Sequence, residues 1–175
     1  MEEKSEDEGI KMKNFQHKKE IVVTNKAPKA IGPYSAGVTT GHLVFTAGQL
    51  GMNPETGELV DGGIQAQTSQ ALNNLKAILE AAGSDLSLVI KTTVFLKDIN
   101  EFGLMNEVYG TFFTKNFPAR SAFQVAALPK GASIEIEAVA LLASQSEDWP
   151  PIFRLAHHLK LCDSSVRLLQ PGNMW

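Results

Sequence analysis

Residues 133–142 alternate between apolar side chains and others. The apolar set is Ile134, Ile136, Ala138 and Ala140. The positions between them hold Glu135, Glu137 and Val139. A period of two is that of a β-strand and not of a helix, so one row of side chains packs against a core while two carboxylates point the other way. The fold must therefore contain a sheet with one face covered by another layer.

Two amphipathic helices are expected to supply that layer. Residues 64–82 repeat apolar side chains at spacings of three, four and seven, and Gly83 suits the position just after a helix end. A second helix is predicted over residues 101–115, with Asn100 as its N-cap. The side of this helix that we expect to be buried carries Phe102, Met105, Tyr109, Phe112 and Phe113.

Short β-prone runs complete the element order, which is β-β-β-α-β-α-β-β. Besides the alternating segment, these runs cover residues 21–23, 37–40, 43–47, 87–96 and 122–128. So few residues connect the elements that the chain should form one sheet with both helices on one side, an α+β fold. The other face of the sheet would be bare in a monomer, so we expect the chain to self-associate through it.

The chain divides into three regions by composition. In residues 1–20, six residues are acidic and five basic, which predicts a flexible, solvated tail. Residues 21–143 hold all the predicted elements and form the expected folded domain. Residues 144–175 begin with a break at Trp149-Pro150-Pro151 and are interpreted as an extension of unknown role.

Composition excludes several classes of function. The chain has 16 basic and 19 acidic residues, and the expected domain has eight basic against ten acidic, so neither nucleic acid nor an anionic membrane should attract it. Cys162 is the only cysteine, which rules out an internal disulfide and favours a reducing compartment. No apolar run reaches the roughly 20 residues that span a bilayer, and the N-terminus lacks a secretory signal. We therefore expect a cytoplasmic protein.

Arg120 and Glu135 are the first candidates for chemistry. Arg120 enters an apolar strand from Phe117-Pro118-Ala119, and its guanidinium offers two parallel donors to a carboxylate. The alternative is an ordinary surface arginine. Glu135 is a carboxylate on a strand whose other face is apolar, and a partly dry carboxylate can act as a general base. A solvated glutamate is the alternative here, and Glu137 on the same face competes for the role.

Tyr34 and Gly48 are candidates for ligand binding. Tyr34 follows Gly32-Pro33, which would hold its hydroxyl in place, although a core tyrosine fits equally well. Gly48 interrupts a strand, and a glycine there allows a ligand to approach the backbone. No phosphate-binding or dinucleotide glycine motif is present, and the remaining cluster is too small for a zinc site, so neither metal nor cofactor is expected. That cluster is His157, His158 and Cys162.

Five segments, taken together, resemble the RidA (YjgF-like) family. They span roughly residues 20–142 in the family's order and spacing: residues 30–35, 45–49, 91–94, 117–121 and 134–138. The resemblance implies a chorismate-mutase-like fold with a single mixed sheet. It further implies a homotrimer whose sheets face a central barrel, with the helices outside and three sites in the clefts between subunits.

The resemblance also implies an activity, the hydrolysis of 2-iminopropanoate and 2-iminobutanoate to 2-oxo acids and ammonia, with no cofactor. Arg120 matches the family's carboxylate-binding arginine, and Glu135 matches the acidic residue near the attacking water. Tyr34, Gly48 and Asn106 match positions that line the pocket. Ala122 falls where many members have cysteine, which argues against a thiol mechanism but not against use of its backbone carbonyl.

Two alternative functions remain open from the sequence. Some relatives are described as endoribonucleases, but no basic stripe interleaved with aromatic residues is present for RNA. A non-catalytic, metabolite-binding or chaperone-like trimer would keep Arg120 without needing Glu135. An imine hydrolysis assay distinguishes these two hypotheses from deaminase activity.

Overall fold

Seven strands of residues 18–143, the part of the chain that the computed structural model describes, form one mixed sheet. The strands are β1 (Glu20–Val22), β2 (Gly37–Thr40), β3 (Leu43–Thr46), β4 (Gln49–Leu50), β5 (Val89–Leu96), β6 (Ala119–Gln124) and β7 (Ile134–Leu141). The helices are α1 (Gly63–Ala81) and α2 (Phe102–Phe112). The predicted single sheet with two helices is confirmed.

The strands lie in the order β1-β2-β3-β7-β5-β6, and the short β4 pairs with β7. Only β5 and β6 run parallel, and the other pairings are antiparallel. A parallel pair needs a crossover connection, which α2 provides between β5 and β6. The sequence-adjacent hairpin of β2 and β3 therefore lies on one side of β7, and the crossover unit lies on the other.

The core lies between the sheet and its helices. The predicted alternation of β7 is confirmed, since the side chains of its apolar row are at most 3% exposed. From α1, Leu72, Leu75, Ile78 and Leu79 pack into the same core with no exposed surface. Burial of each such side chain contributes about 1.5–3 kcal/mol, so this layer is the main source of stability.

Buried amides on α1 fix the loops around β4. The Asn74 side chain donates to the carbonyls of Leu50 at 3.1 Å and Met52 at 2.8 Å. The Gln67 side chain accepts from the Ser133 amide at 2.8 Å, just before β7. Unpaired polar groups are costly to bury, so these bonds hold β4 and the start of β7 in one position relative to the helix.

Several element boundaries differ from those predicted. The second helix ends at Phe112 and not at Lys115, and β6 starts at Ala119 and ends at Gln124, whereas residues 122–128 were expected. Asn100 is not the N-cap, because it lies inside a 3-10 turn, Ile99–Glu101, that precedes α2. Asp98 caps that turn, and its carboxylate accepts from the Asn100 amide at 2.9 Å.

The sheet face that the helices leave uncovered carries aromatic side chains. Phe95 on β5 and Phe123 on β6 meet edge to face with ring centroids 5.3 Å apart. Phe45 on β3 and Phe123 are each more than 40% exposed. Within residues 18–143, no helix has both the length and the apolar character needed to cross a membrane.

Candidate active site

Arg120 lies on the helix-covered face of the sheet. It pairs across the parallel β5–β6 ladder with Thr92, which is fully buried on that face. Its guanidinium carbon lies 4.5 Å from the ring centroid of Tyr109 and 5.3 Å from that of Phe102, both on α2. Within residues 18–143, no carboxylate lies at ion-pair distance from this guanidinium. The cation is therefore held by aromatic faces and not by an opposite charge.

The Tyr109 ring is itself firmly placed. Its hydroxyl is hydrogen-bonded to the Thr92 hydroxyl at 2.8 Å, and its ring packs against Phe113 with centroids 4.6 Å apart. Burial raises the pKa of the Tyr109 hydroxyl above 10.0, although the Thr92 hydrogen bond and the Arg120 charge act in the opposite direction. The phenol therefore stays neutral at ordinary pH, and Tyr109 offers Arg120 a ring face and no anion.

Glu135 lies on the other face of the sheet. It pairs with Phe95 of β5 and with Leu50 of β4, and Phe95 belongs to the uncovered aromatic face. Partial burial raises the pKa of the Glu135 carboxyl, and repulsion from Glu137 adds a smaller upward effect. A carboxylate with a raised pKa holds a proton more tightly, which suits a group that must accept one from water.

Gly48 makes room for the Glu135 carboxyl. A β-carbon built on Gly48 would overlap the Glu135 side chain, including its Oε1 oxygen. The pairing of β4 with β7 brings the two residues together, because Gln49 pairs with Ile136 and Leu50 with Glu135. Only glycine leaves space for the carboxyl in this position.

A cavity of about 330 Å³ lies beside Glu135 and Gly48. Tyr34 lines it, and the Tyr34 hydroxyl accepts a long, 3.4 Å hydrogen bond from the Ile31 amide. Most of the remaining wall is apolar, and the residues that contribute to it include Ile31, Ala36, Leu50, Met52 and Pro129. The cavity can therefore hold a small organic molecule against the Glu135 carboxyl.

The predicted site residues fall into two groups on opposite faces of the sheet. Tyr34, Gly48 and Glu135 line the cavity together. Arg120 and Ala122 share the helix-covered face of β6, where Ala122 packs against the core. Asn106 is exposed on α2, at helical spacing from both Phe102 and Tyr109, and so belongs with the Arg120 group. One chain does not bring the two groups together.

Some residues near these groups were not anticipated from the sequence. Lys29 and Gln49 also line the cavity, and the Gln49 amide donates to the carbonyls of Ala47 and Gly48. Burial of Tyr109 was expected, but its contact with Arg120 was not predicted, because helical periodicity carries no information about which strand a helix face will meet. Within residues 18–143, no three metal-ligating side chains cluster. The cluster of His157, His158 and Cys162 lies outside the described residues.

Comparison with known proteins identifies the family to which the chain belongs. The model of the family described as Endoribonuclease L-PSP matches residues 24–142, more than half of the chain. The chain belongs to this family. The resemblance to RidA, found in the five sequence segments, is thereby confirmed.

RidA-family relatives match nearly their whole length. A 2-iminobutanoate/2-iminopropanoate deaminase of Rattus norvegicus is 54% identical over 123 residues, 70% of this chain and 90% of the relative. Among solved structures, the YjgF gene product of E. coli is 49% identical with a TM-score of 0.67, covering 70% of this chain and 98% of that one. E. coli TdcF with bound serine is 46% identical with a TM-score of 0.68, covering 71% and 99%.

Proposed function

We propose that the chain is a 2-iminobutanoate/2-iminopropanoate deaminase, which hydrolyses small 2-imino acids to 2-oxo acids and ammonia. The activity implied by the family resemblance agrees with the name of a relative that is 54% identical over 123 residues. The observation that carries the proposal is the Glu135 carboxyl, set against Gly48 at the wall of a small cavity with its pKa raised. A non-catalytic binding protein would need a cavity but no such base.

The proposed reaction is an addition followed by an elimination. Glu135 takes a proton from a water molecule as the water oxygen bonds to the imine carbon, giving a carbinolamine. The Glu135 carboxyl then returns that proton to the nitrogen, which leaves as ammonia. The carbinolamine hydroxyl loses its own proton at the same stage, so the carbon becomes the carbonyl of the 2-oxo acid and the Glu135 carboxylate is restored. No electrons are transferred, and the imine carbon is already electrophilic. The chain needs only to bind the substrate carboxylate through Arg120 and to place the water.

We propose that each site is shared between two copies of the chain in a homotrimer. Arg120 and Glu135 lie on opposite faces of one sheet, so a second copy must supply one of them. The uncovered aromatic face around Phe95 and Phe123 supports this, because apolar surface costs roughly 25 cal/mol per Å² to leave in water. That the assembly has three subunits, arranged as a chorismate-mutase-like barrel, is implied by the family resemblance. Cyclic symmetry would bury the uncovered face in every copy.

The other predicted residues receive roles in this shared site. Tyr34 and Gly48 would line the cavity beside the base, with the Gly48 glycine keeping room for Glu135. Asn106 would lie beside the bound carboxylate on the Arg120 side, and the Ala122 carbonyl would accept a hydrogen bond from the departing nitrogen. Because residue 122 is alanine, no step uses a thiol.

We also propose that residues 21–143 are the complete catalytic domain and work in the cytoplasm. The family match over residues 24–142 supports these limits. Residues 1–20 and 144–175 are given no part in catalysis. A chain trimmed to residues 20–143 should sediment as a trimer and retain the activity. A monomer that still hydrolyses imine would contradict both the interface and the shared site.

The deciding experiment couples a threonine dehydratase to the purified protein and follows 2-oxobutanoate and ammonia. The wild-type chain should accelerate release of both, whereas the matched Arg120→Ala variant should lose saturable turnover. A lost charge-assisted pair costs about 1.5–3 kcal/mol, or roughly 10- to 150-fold in kcat/KM. A labelled RNA run in parallel tests the nuclease alternative, since RNA cleavage without imine hydrolysis would overturn the proposal.

A further inference from the structure

We propose that Tyr109 is a positioning residue for this reaction, because its ring carries the Arg120 guanidinium and orients it toward the substrate carboxylate. The inference rests on the proposed role of Arg120 as the carboxylate-binding residue. It assigns a function to a tyrosine that periodicity marks only as part of a buried helix face.

A guanidinium can be held in place without occupying its hydrogen-bond donors. Its N–H donors lie in the plane of the group, and a carboxylate partner would occupy two of them. An aromatic face attracts the cation electrostatically and needs none of those donors. The Arg120 guanidinium carbon lies 4.5 Å from the Tyr109 ring centroid, and no carboxylate of residues 18–143 is at ion-pair distance. The donors of Arg120 thus stay available for a ligand.

The ring must also be fixed if it is to orient anything. Tyr109 is 5% exposed and packs against Phe113. Its hydroxyl bonds to Thr92, the residue directly across the β5–β6 ladder from Arg120. The ring is therefore anchored to the same pair of strands that carries the arginine backbone. A shift of α2 along the sheet would have to break this buried hydrogen bond before it moved the ring away from the guanidinium.

Phe102, the second ring near the guanidinium, is less firmly placed to orient it. Phe102 is centred 5.3 Å from the Arg120 guanidinium carbon, and its side chain is partly exposed. No hydroxyl ties that ring to β5. We therefore expect Tyr109 to fix the orientation of Arg120 and Phe102 to limit its access to water.

The test compares Tyr109→Leu, which removes the ring, with Tyr109→Phe, which keeps it. The leucine variant should raise KM roughly three- to thirtyfold with kcat nearly unchanged, the expected size of a lost cation–π contact. The phenylalanine variant should keep a KM close to wild type, although the unpaired Thr92 hydroxyl will lower its melting temperature. Equal KM values in wild type and Tyr109→Leu would overturn the proposal.

A double-variant cycle separates positioning from general damage to the fold. In an Arg120→Lys background the ammonium has no plane to orient and keeps only the ring's attraction for a cation, so Tyr109→Leu should raise KM by a smaller factor than in the wild type. Met105→Ala, a fully buried position on the same helix, serves as the stability control and should lower the melting temperature without changing KM. The same KM increase in both arginine and lysine backgrounds would show that Tyr109 has only a structural role.

An NMR measurement keeps this inference separate from the proposed function. The Arg120 side-chain Nε–H signal, assigned by its loss in Arg120→Lys, should carry a ring-current shift in wild type and Tyr109→Phe but not in Tyr109→Leu. If the wild type shows this shift but hydrolyses no imine, the proposed function fails and the contact stands. If it hydrolyses imine but Tyr109→Leu leaves the signal in place, the positioning role fails alone.

Discussion

The two charged candidates of the site are held in opposite ways. On the helix-covered face, the aromatic rings of Tyr109 and Phe102 pack close to the Arg120 guanidinium. On the uncovered face, Gly48 leaves space for the Glu135 carboxyl because glycine has no side chain. Packing against aromatic rings therefore fixes the Arg120 cation, whereas the space above Gly48 accommodates the Glu135 carboxylate. Changes that remove bulk should therefore harm the first group, whereas changes that add bulk should harm the second.

The largest effect is expected at Glu135. Glu135→Gln keeps the shape of the side chain and removes the base, so kcat should fall about 10²–10⁴-fold. Glu137→Gln is the matched control on the same face and should lose much less. Steady-state kinetics of the two variants decide between the carboxylates: a larger loss in Glu137→Gln would mean that Glu137 is the base.

The next largest effect is expected at Gly48 and tests whether catalysis needs the space beside the Glu135 carboxyl. Gly48→Ala adds one methyl group where the Glu135 carboxyl lies, so the carboxyl must move and kcat should fall roughly 10- to 10³-fold. Gly103→Ala is the control, because a β-carbon there meets no atom within 4 Å and alanine favours the helix. If Gly48→Ala keeps wild-type turnover while a binding assay shows an intact cavity, the space at Gly48 has no role in catalysis.

A third prediction concerns the separation of the two groups. Arg120→Ala and Glu135→Gln chains, unfolded and refolded together, should regain activity because a mixed trimer can pair an intact Arg120 with an intact Glu135. Random mixing in a cyclic trimer restores about a quarter of the sites. Mixing Glu135→Gln with Gly48→Ala damages the same group in every chain and should restore nothing. Activity that stays at the level of the single variants would place both groups of one site in one chain.

The smallest effect is a displacement of the pH profile. Burial and Glu137 both raise the pKa of Glu135, and a protonated carboxyl cannot accept a proton from water. The acid limb of kcat should therefore have its midpoint above 4.5, with activity lost as the pH falls through it. Glu137→Gln removes the like charge and should move that midpoint to lower pH. A midpoint that moves upward would contradict the assigned cause.

Local patterns predicted most of the fold. The alternation around Glu135 gave the buried face of β7 and the periodicity of residues 64–82 gave α1, because both are set by neighbours along the chain. The boundaries failed where local signals compete. Asn100 and Asp98 are both good caps, but Asp98 caps only the 3-10 turn, and the N-cap of α2 is Glu101, which makes no side-chain cap hydrogen bond. Arg120 and Ser121 hide the start of β6, since their polar side chains interrupt the apolar pattern from which a strand is predicted.

The candidate site was predictable as a set of residues but not as an arrangement. Family-like segments pointed to Arg120 and Glu135 from the sequence alone. Their opposite faces follow from the pairing of Arg120 with Thr92 and of Glu135 with Phe95, which are contacts between distant strands. The short β4 was missed because two residues carry no periodicity, yet it is this strand that sets Gly48 beneath Glu135.

The overlap that any side chain at position 48 would make with Glu135 also has a consequence for inheritance. With Glu135 as the proposed base, a natural variant that changes either position alone would lose the base or the space that it occupies. A lineage that has given up the chemistry is free to change both while keeping the fold. Across genomes we expect glycine and glutamate at these two positions to be retained together or lost together, which separates chains that still perform the hydrolysis from those that share only its architecture.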